Sequence, residues 1–123
     1  MQFSHVSITV KDMEKSIRFY SEAMGLELIS RRVISEQREN AFLNDKISNI
    51  RIELTFWKDK TEWTSGDELD HLAFTVPKID EVITELRRQE VEIIREPFSL
   101  KDGTTIAYIK DPNGIRIELV ESR

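Results

Sequence analysis

Histidine occurs twice in this 123-residue chain, at His5 and His71, and each is followed at nearly the same distance by a glutamate in nearly the same tetrapeptide. Ile-Glu-Leu-Thr at 52–55 sets Glu53 48 residues after His5, and Ile-Glu-Leu-Val at 117–120 sets Glu118 47 residues after His71. A single strand histidine or glutamate is ordinarily a solvated surface residue. Four of them at equivalent positions of two half-length repeats are the makings of one metal site. Two imidazole nitrogens and two carboxylate oxygens suit borderline divalent ions: nickel, cobalt, zinc, iron or manganese. The chain has no cysteine, so thiolate ligands and disulfides are excluded. Ligands mounted on a sheet and facing a cavity suit an open, catalytic sphere better than a closed, structural one. A metal with exchangeable positions holds adjacent substrate oxygens as a Lewis acid. A carboxylate beside it accepts a proton from carbon. Together these are the means of enolising a carbon acid.

The elements that must position these residues repeat in the same order. Residues 3–10 alternate as a strand, with Val6, Ile8 and Val10 on one face and His5, Ser7 and Thr9 on the other. Asp12 caps a helix whose Met13, Ile17, Tyr20 and Met24 recur at helical spacing, and Gly25 ends it. Strands are expected over Leu26–Ile34, about Ala41–Leu43 and Ser48–Trp57, with turns at Ser35–Asn40 and Asn44–Lys46. In the second half, Leu69–Val76 aligns on the first strand without a gap. A helix from about Asp80 to Gln89 follows, with Ile79, Val82, Ile83 and Leu86 on one side. Strands are expected at Glu92–Arg95, Thr104–Lys110 and Ile115–Glu121, with Asp-Pro-Asn-Gly at 111–114 turning between the last two. The fold class is α+β: two βαβββ modules, about 1–57 and 69–123, forming curved mixed sheets in a single domain with a polar linker at 58–68. Because side chains alternate along a strand, Ile50, Ile52, Leu54 and Phe56 share a face, and Ile115, Ile117 and Leu119 face the core. His5, Glu53, His71 and Glu118 all project from the other face.

The bulk numbers exclude several classes. A half of about 60 residues is marginal by itself, so the modules need each other or a second subunit. The net charge of −5 and pI near 5.1 argue against a nucleic-acid partner, which requires a basic face. No apolar run approaches the roughly 18 residues of a membrane helix, and the first residues have neither a charged leader nor an apolar core. A cytoplasmic protein with a small-molecule substrate and no membrane partner is expected. With four glycines there is no phosphate loop, nucleophile elbow or dinucleotide fingerprint.

Several stretches resemble glyoxalase I (lactoylglutathione lyase) of the vicinal oxygen chelate superfamily. They are Phe-Ser-His-Val-Ser-Ile-Thr-Val at 3–10, Asp-Met-Glu-Lys-Ser-Ile-Arg-Phe-Tyr at 12–20 and Met-Gly-Leu-Glu-Leu at 24–28, then Ile-Glu-Leu-Thr and Asp-His-Leu-Ala-Phe-Thr-Val at 70–76. Lys-Asp-Gly-Thr-Thr at 101–105 and Asp-Pro-Asn-Gly-Ile-Arg-Ile-Glu-Leu-Val-Glu at 111–121 complete the set. The helix and turn pieces are common to the wider superfamily, whereas the complete His, Glu, His, Glu set is more specific. The resemblance implies a homodimer with sites at the subunit interface, His5 and Glu53 coming from one chain and His71 and Glu118 from the other. It implies isomerisation of the hemithioacetal of methylglyoxal and a thiol to the lactoyl thioester through an enediolate, a step of methylglyoxal detoxification. One divalent metal per site is implied, and the compact length resembles the nickel- or cobalt-dependent branch more than the zinc branch. Glu118 matches the family's base, and Glu53 shares the work by leaving the metal.

The departures lie in the thiol pocket. Small bacterial members of the family carry an asparagine where this chain has Trp57 and often an arginine where it has Thr9, so the resemblance does not fix glutathione as the thiol. The segment from Thr104 to Asp111 is about one residue shorter, and Lys101 is not carried over. Trp57 and Trp63 read as packing residues ahead of pocket or interface lining, Arg51 and Arg116 as surface ion pairs or as partners of a substrate carboxylate, and Arg31–Arg32 and Arg87–Arg88 as solvated charges. Two other readings fit the scaffold: a methylmalonyl-CoA epimerase-like metalloenzyme, and a metal-free small-molecule-binding protein. One fold serves many chemistries. The intact first glutamate separates the chain from the first, and four intact ligands separate it from the second.

Overall fold

A computed structural model describes residues 4–64 and 71–122. The expected strand residues Phe3, Leu69 and Asp70 and the linker residues 65–68 lie outside that range. The chain divides into two compact units, Met1–Thr64 and Ser65–Arg123.

In the first unit, β1 (His5–Thr9) leads into α1 (Met13–Arg18), a π-helical turn (Phe19–Ala23), and then β2 (Glu27–Val33), β3 (Arg38–Asn44) and β4 (Arg51–Trp57). The sheet order is β1-β4-β3-β2, parallel between β1 and β4 and antiparallel elsewhere. The second unit repeats it with β5 (Leu72–Val76), α2 (Ile79–Arg88), β6 (Glu92–Ser99), β7 (Thr105–Lys110) and β8 (Arg116–Glu121), in the order β5-β8-β7-β6. Each unit is therefore a βαβββ module with a mixed four-stranded sheet, as the sequence pattern requires.

The local causes are readable. The Asp12 carboxylate accepts the Lys15 amide at 3.0 Å and so caps α1, and Gly25 closes the segment at φ +76°, where a side chain would be strained. The helix departs from a uniform 3.6-residue repeat, because the Met24 amide bonds the Phe19 carbonyl, five residues back, at 3.0 Å. That wider turn shifts the buried set to Met13, Ser16, Phe19 and Tyr20, leaving Ile17 and Met24 half-buried. In the second unit Ile79, Ile83 and Leu86 bury the apolar face of α2. Core residues alternate along the strands: Ile8, Ile52 and Leu54 in one unit, Ile117 and Leu119 in the other. Each such burial contributes roughly 1.5–3 kcal/mol.

Three boundaries differ from the sequence reading. The strand expected from Ser48 begins at Arg51 as β4, which leaves Ile50 outside it and 54% exposed rather than in the core. The expected turn at Ser35–Asn40 is cut short, since β3 begins at Arg38; its polar residues are the outward face of a strand paired on both sides. The strand expected to stop at Arg95 runs on to Ser99 as β6. Its register shifts between Arg95 and Phe98, around Pro97, and the strand lies at the sheet edge, where a proline's missing donor is tolerated. Among the described residues no helix is long and apolar enough to cross a membrane.

Candidate metal-binding half-sites

Strand parity places the four chemistry-bearing residues as the sequence requires, two on each sheet. In the first unit the parallel register sets Ser7 opposite Glu53, with His5 two residues before Ser7 on the same face. In the second it sets Ala73 opposite Glu118, with His71 two residues before Ala73. The neighbouring strand completes the correspondence. Phe42 lies opposite Glu53, and Tyr108 opposite Glu118. Phe42 meets His5 edge-on with centroids 5.2 Å apart, and Tyr108 meets His71 the same way at 6.2 Å. These two aromatic walls were not singled out by the sequence; the signal for them was their matching place in the repeat.

The immediate surroundings of the two carboxylates differ. Ser7 Oγ donates to Glu53 Oε1 at 2.8 Å, and Thr55 Oγ1 donates to the same oxygen at 3.2 Å. Asn40 Nδ2 donates to Oε2 at 3.5 Å, a long bond from a buried side chain. Hydroxyl and amide donors thus reach both oxygens. On the other sheet the position of Ser7 is taken by Ala73 and that of Thr55 by Val120. The Glu118 carboxylate is met by His71 Nε2, 2.9 Å from Oε2. On the first sheet the His5 Nδ1 lies 2.8 Å from Ser4 Oγ. That bond leaves Nε2 as the nitrogen to bind a metal, the usual division of labour for a ligating imidazole.

The donor set fits a divalent cation. Neutral nitrogen and carboxylate oxygen suit nickel, cobalt and zinc. The 2.9 Å between His71 Nε2 and Glu118 Oε2 is close to the edge of a coordination sphere, about 3.0 Å for ~2.1 Å bonds meeting at a right angle. Within neither unit do three His, Cys, Asp or Glu side chains gather into a metal cluster among the described residues. Each sheet supplies a pair.

The resolved pKa shifts belong to other places. Glu85 is pulled down to about 2 by hydrogen bonds from Arg88 and then Gln89, and the Ser48 hydroxyl and the Ile47 amide lower Asp45. Some arginines read as solvated are in fact paired: Arg31 bridges Glu14 and Glu39, Arg87 meets Glu96, and Arg88 meets Glu85. Arg116 lies over the Tyr108 ring at 5.1 Å. Trp57 and Trp63 are 39% and 36% exposed and act as platforms for cations rather than as core, Arg38 lying over the first and Lys11 and Lys60 over the second.

Residues 2–119 match the model of the Glyoxalase/Bleomycin resistance protein/Dioxygenase superfamily. The chain is 35% identical to a probable lactoylglutathione lyase of Vibrio parahaemolyticus, covering 97% of this chain and 89% of that one. It is 32% identical to a lactoylglutathione lyase of Arabidopsis thaliana, where 98% of this chain spans only 44% of the longer relative. The crystal structure of glyoxalase I from Zea mays superposes with a TM-score of 0.86 at 30% identity, over 96% of this chain and 43% of that one.

Proposed function

This chain belongs to the Glyoxalase/Bleomycin resistance protein/Dioxygenase superfamily, and on that premise we propose that it is a metal-dependent lyase of the glyoxalase I type. It converts the hemithioacetal of methylglyoxal and a thiol to the lactoyl thioester. The observation that carries the reading is the duplicated His–Glu pair, presented at equivalent register on the same face of two equivalent sheets. His5, Glu53, His71 and Glu118 hold one divalent cation, nickel or cobalt in preference to zinc. The two modules act as one domain, in a cytoplasmic homodimer.

A divalent cation held by His5, Glu53, His71 and Glu118 would supply Lewis-acid polarisation of the substrate, making its carbon-bound hydrogen acidic. Glu118 removes that proton from the carbon bearing the hydroxyl and the sulfur, and returns it to the neighbouring carbonyl carbon. The hydroxyl proton passes from the oxygen on the sulfur-bearing carbon to the former carbonyl oxygen, so the carbonyl ends next to sulfur and the hydroxyl on the neighbouring carbon, with no net gain or loss of atoms. Glu118 suits this task because Ala73 and Val120 stand where Ser7 and Thr55 hold Glu53, so its carboxylate is able to swing between two carbons. Glu53, held by Ser7 and Thr55, is the more fixed of the two carboxylates. Phe42 and Tyr108 flank the histidines edge-on.

The test is a thioester-forming assay with methylglyoxal, a panel of thiols, and protein loaded with nickel, cobalt or zinc. Thioester formation that needs metal, from a dimer on a sizing column holding about one ion per site, is the expected result. Protein that binds none of the three ions removes the reading. Turnover of methylmalonyl-CoA in place of hemithioacetals would move the chain to an epimerase on the same scaffold.

A further inference from the structure

Among the described residues three buried side-chain polar atoms lack a hydrogen-bond partner: Arg38 Nε, Asn40 Oδ1 and Asn44 Oδ1. All three belong to β3, and all stand on its site face. The register sets Arg38 opposite Trp57, Asn40 opposite Thr55 and Asn44 opposite Arg51, in the same alternation that sets Phe42 opposite Glu53. Buried polar groups in folded proteins normally find partners, and an orphaned one calls for an explanation. Three along one strand, beside the proposed carboxylate ligand, describe a strip that an incoming molecule's polar groups would satisfy.

Arg38 is the charged member of the strip. Its guanidinium lies 5.2 Å from the centroid of the Trp57 ring. Stacking on an aromatic face orients the guanidinium plane and leaves its N–H donors unspent. No carboxylate pairs with it among the described residues, whereas Arg31, Arg87 and Arg88 each have one. Trp57 is four residues beyond Glu53 on the same strand face, so an anion at Arg38 lies on the order of 10–13 Å from the metal-binding carboxylate. That span matches a thiol whose own carboxylate is several bonds from its sulfur.

We infer that Arg38, braced by Trp57, is a specificity-determining residue that recognises a carboxylate of the thiol co-substrate, with Asn40 Oδ1 accepting an N–H from the same molecule. The identity of that molecule as a thiol rests on the glyoxalase I-type reading; the anion subsite on β3 does not. A guanidinium and a carboxylate make a bidentate, charge-assisted contact that an ammonium reproduces only in part.

The experiment compares the wild-type protein, Arg38→Met and Arg38→Lys on two readouts. The first is equilibrium binding of S-methylglutathione and N-acetyl-S-methylcysteine, which carry carboxylates, against S-methyl-2-mercaptoethanol, which carries no charge. The second is turnover of the methylglyoxal hemithioacetals of the parent thiols. Arg38→Met is expected to weaken binding of at least one acidic probe about tenfold, with most of the loss recovered in Arg38→Lys. It should raise KM for that thiol's hemithioacetal by a similar factor at unchanged kcat, and leave the uncharged thiol unaffected. Equal loss for charged and uncharged thiols, or no loss of acidic-probe binding on Arg38→Met, overturns the inference. Arg38-dependent binding without any turnover keeps the subsite and removes the glyoxalase reading. Turnover that ignores Arg38 does the reverse.

Discussion

The first sheet and the second carry the same His–Glu pair at the same register, yet they treat the glutamate in opposite ways. Glu53 receives two hydroxyl bonds and one amide bond from Ser7, Thr55 and Asn40. Glu118, flanked by Ala73 and Val120 where those hydroxyls would stand, contacts its own histidine. Both sheets carry the same His–Glu pair, and substitution around the pair gave the two carboxylates different surroundings. A carboxylate fixed by hydroxyl and amide donors loses little on becoming a stationary ligand, while one flanked by Ala73 and Val120 retains more of the freedom that a base moving a proton between two carbons requires.

The sharpest way to break that contrast is to remove each carboxylate. Glu118→Gln should lower kcat by about 10²–10⁴, the usual worth of a positioned base, in protein shown to hold its metal. Glu53→Gln should act first on metal affinity. Equal losses of kcat at matched metal content would erase the distinction. Next in size, Leu54→Ala and Leu119→Ala truncate equivalent, fully buried core positions of the two units, and each should cost about 2–5 kcal/mol. Urea unfolding followed by fluorescence then shows whether the units unfold together. Two separated transitions would contradict the single domain proposed.

A smaller effect should come from exchanging the donors. Ser7→Ala removes the shortest bond to Glu53, a charge-assisted one worth about 1.5–3 kcal/mol, and should weaken metal binding about tenfold by calorimetry. Ala73→Ser offers Glu118 a hydroxyl and should slow turnover severalfold without loss of metal; faster turnover would refute the argument from mobility. The mildest contrast concerns the helix starts. Asp12 caps α1 with its side chain, whereas Lys78 at the start of α2 makes no such bond, and Glu121 accepts the Ile79 amide instead. Asp12→Ala should destabilise by about 1 kcal/mol, and Lys78→Asp should change stability by less, because that amide already has its acceptor. A large gain from Lys78→Asp in thermal denaturation would show the Glu121 bond to be weak.

Much of the site was legible before any coordinates. The alternation of Val6, Ile8 and Val10, and of Ile117 and Leu119, fixed which face His5 and Glu118 occupy, since a period of two leaves no choice once one face is buried. The capping aspartate and Gly25 bounded the first helix correctly. The polar run from Ser35 to Asn40 was less legible. Hydrophilic residues read as a turn, whereas Arg38 and Asn40 are the outward face of a strand whose alternate residue, Ala41, is fully buried. The misreading hid the start of β3, where Arg38 and Asn40 carry two of the three unpartnered polar atoms found among the described residues. The π-helical turn was equally invisible, because one wider hydrogen-bonded ring leaves no periodic trace over so short a helix.

What the amino-acid order determined by itself was the duplicated module, the paired ligands and the face each one occupies. Those follow from spacing and alternation within single elements. Which hydroxyls hold Glu53, which aromatic flanks each histidine, and where the Arg38 guanidinium comes to rest were decided only by tertiary structure. Such contacts join residues distant in sequence, Ser7 and Glu53 being 46 positions apart and 2.8 Å from oxygen to oxygen, and a slip of one residue in strand pairing would abolish them. Register is settled by the whole sheet at once, not by any segment of it.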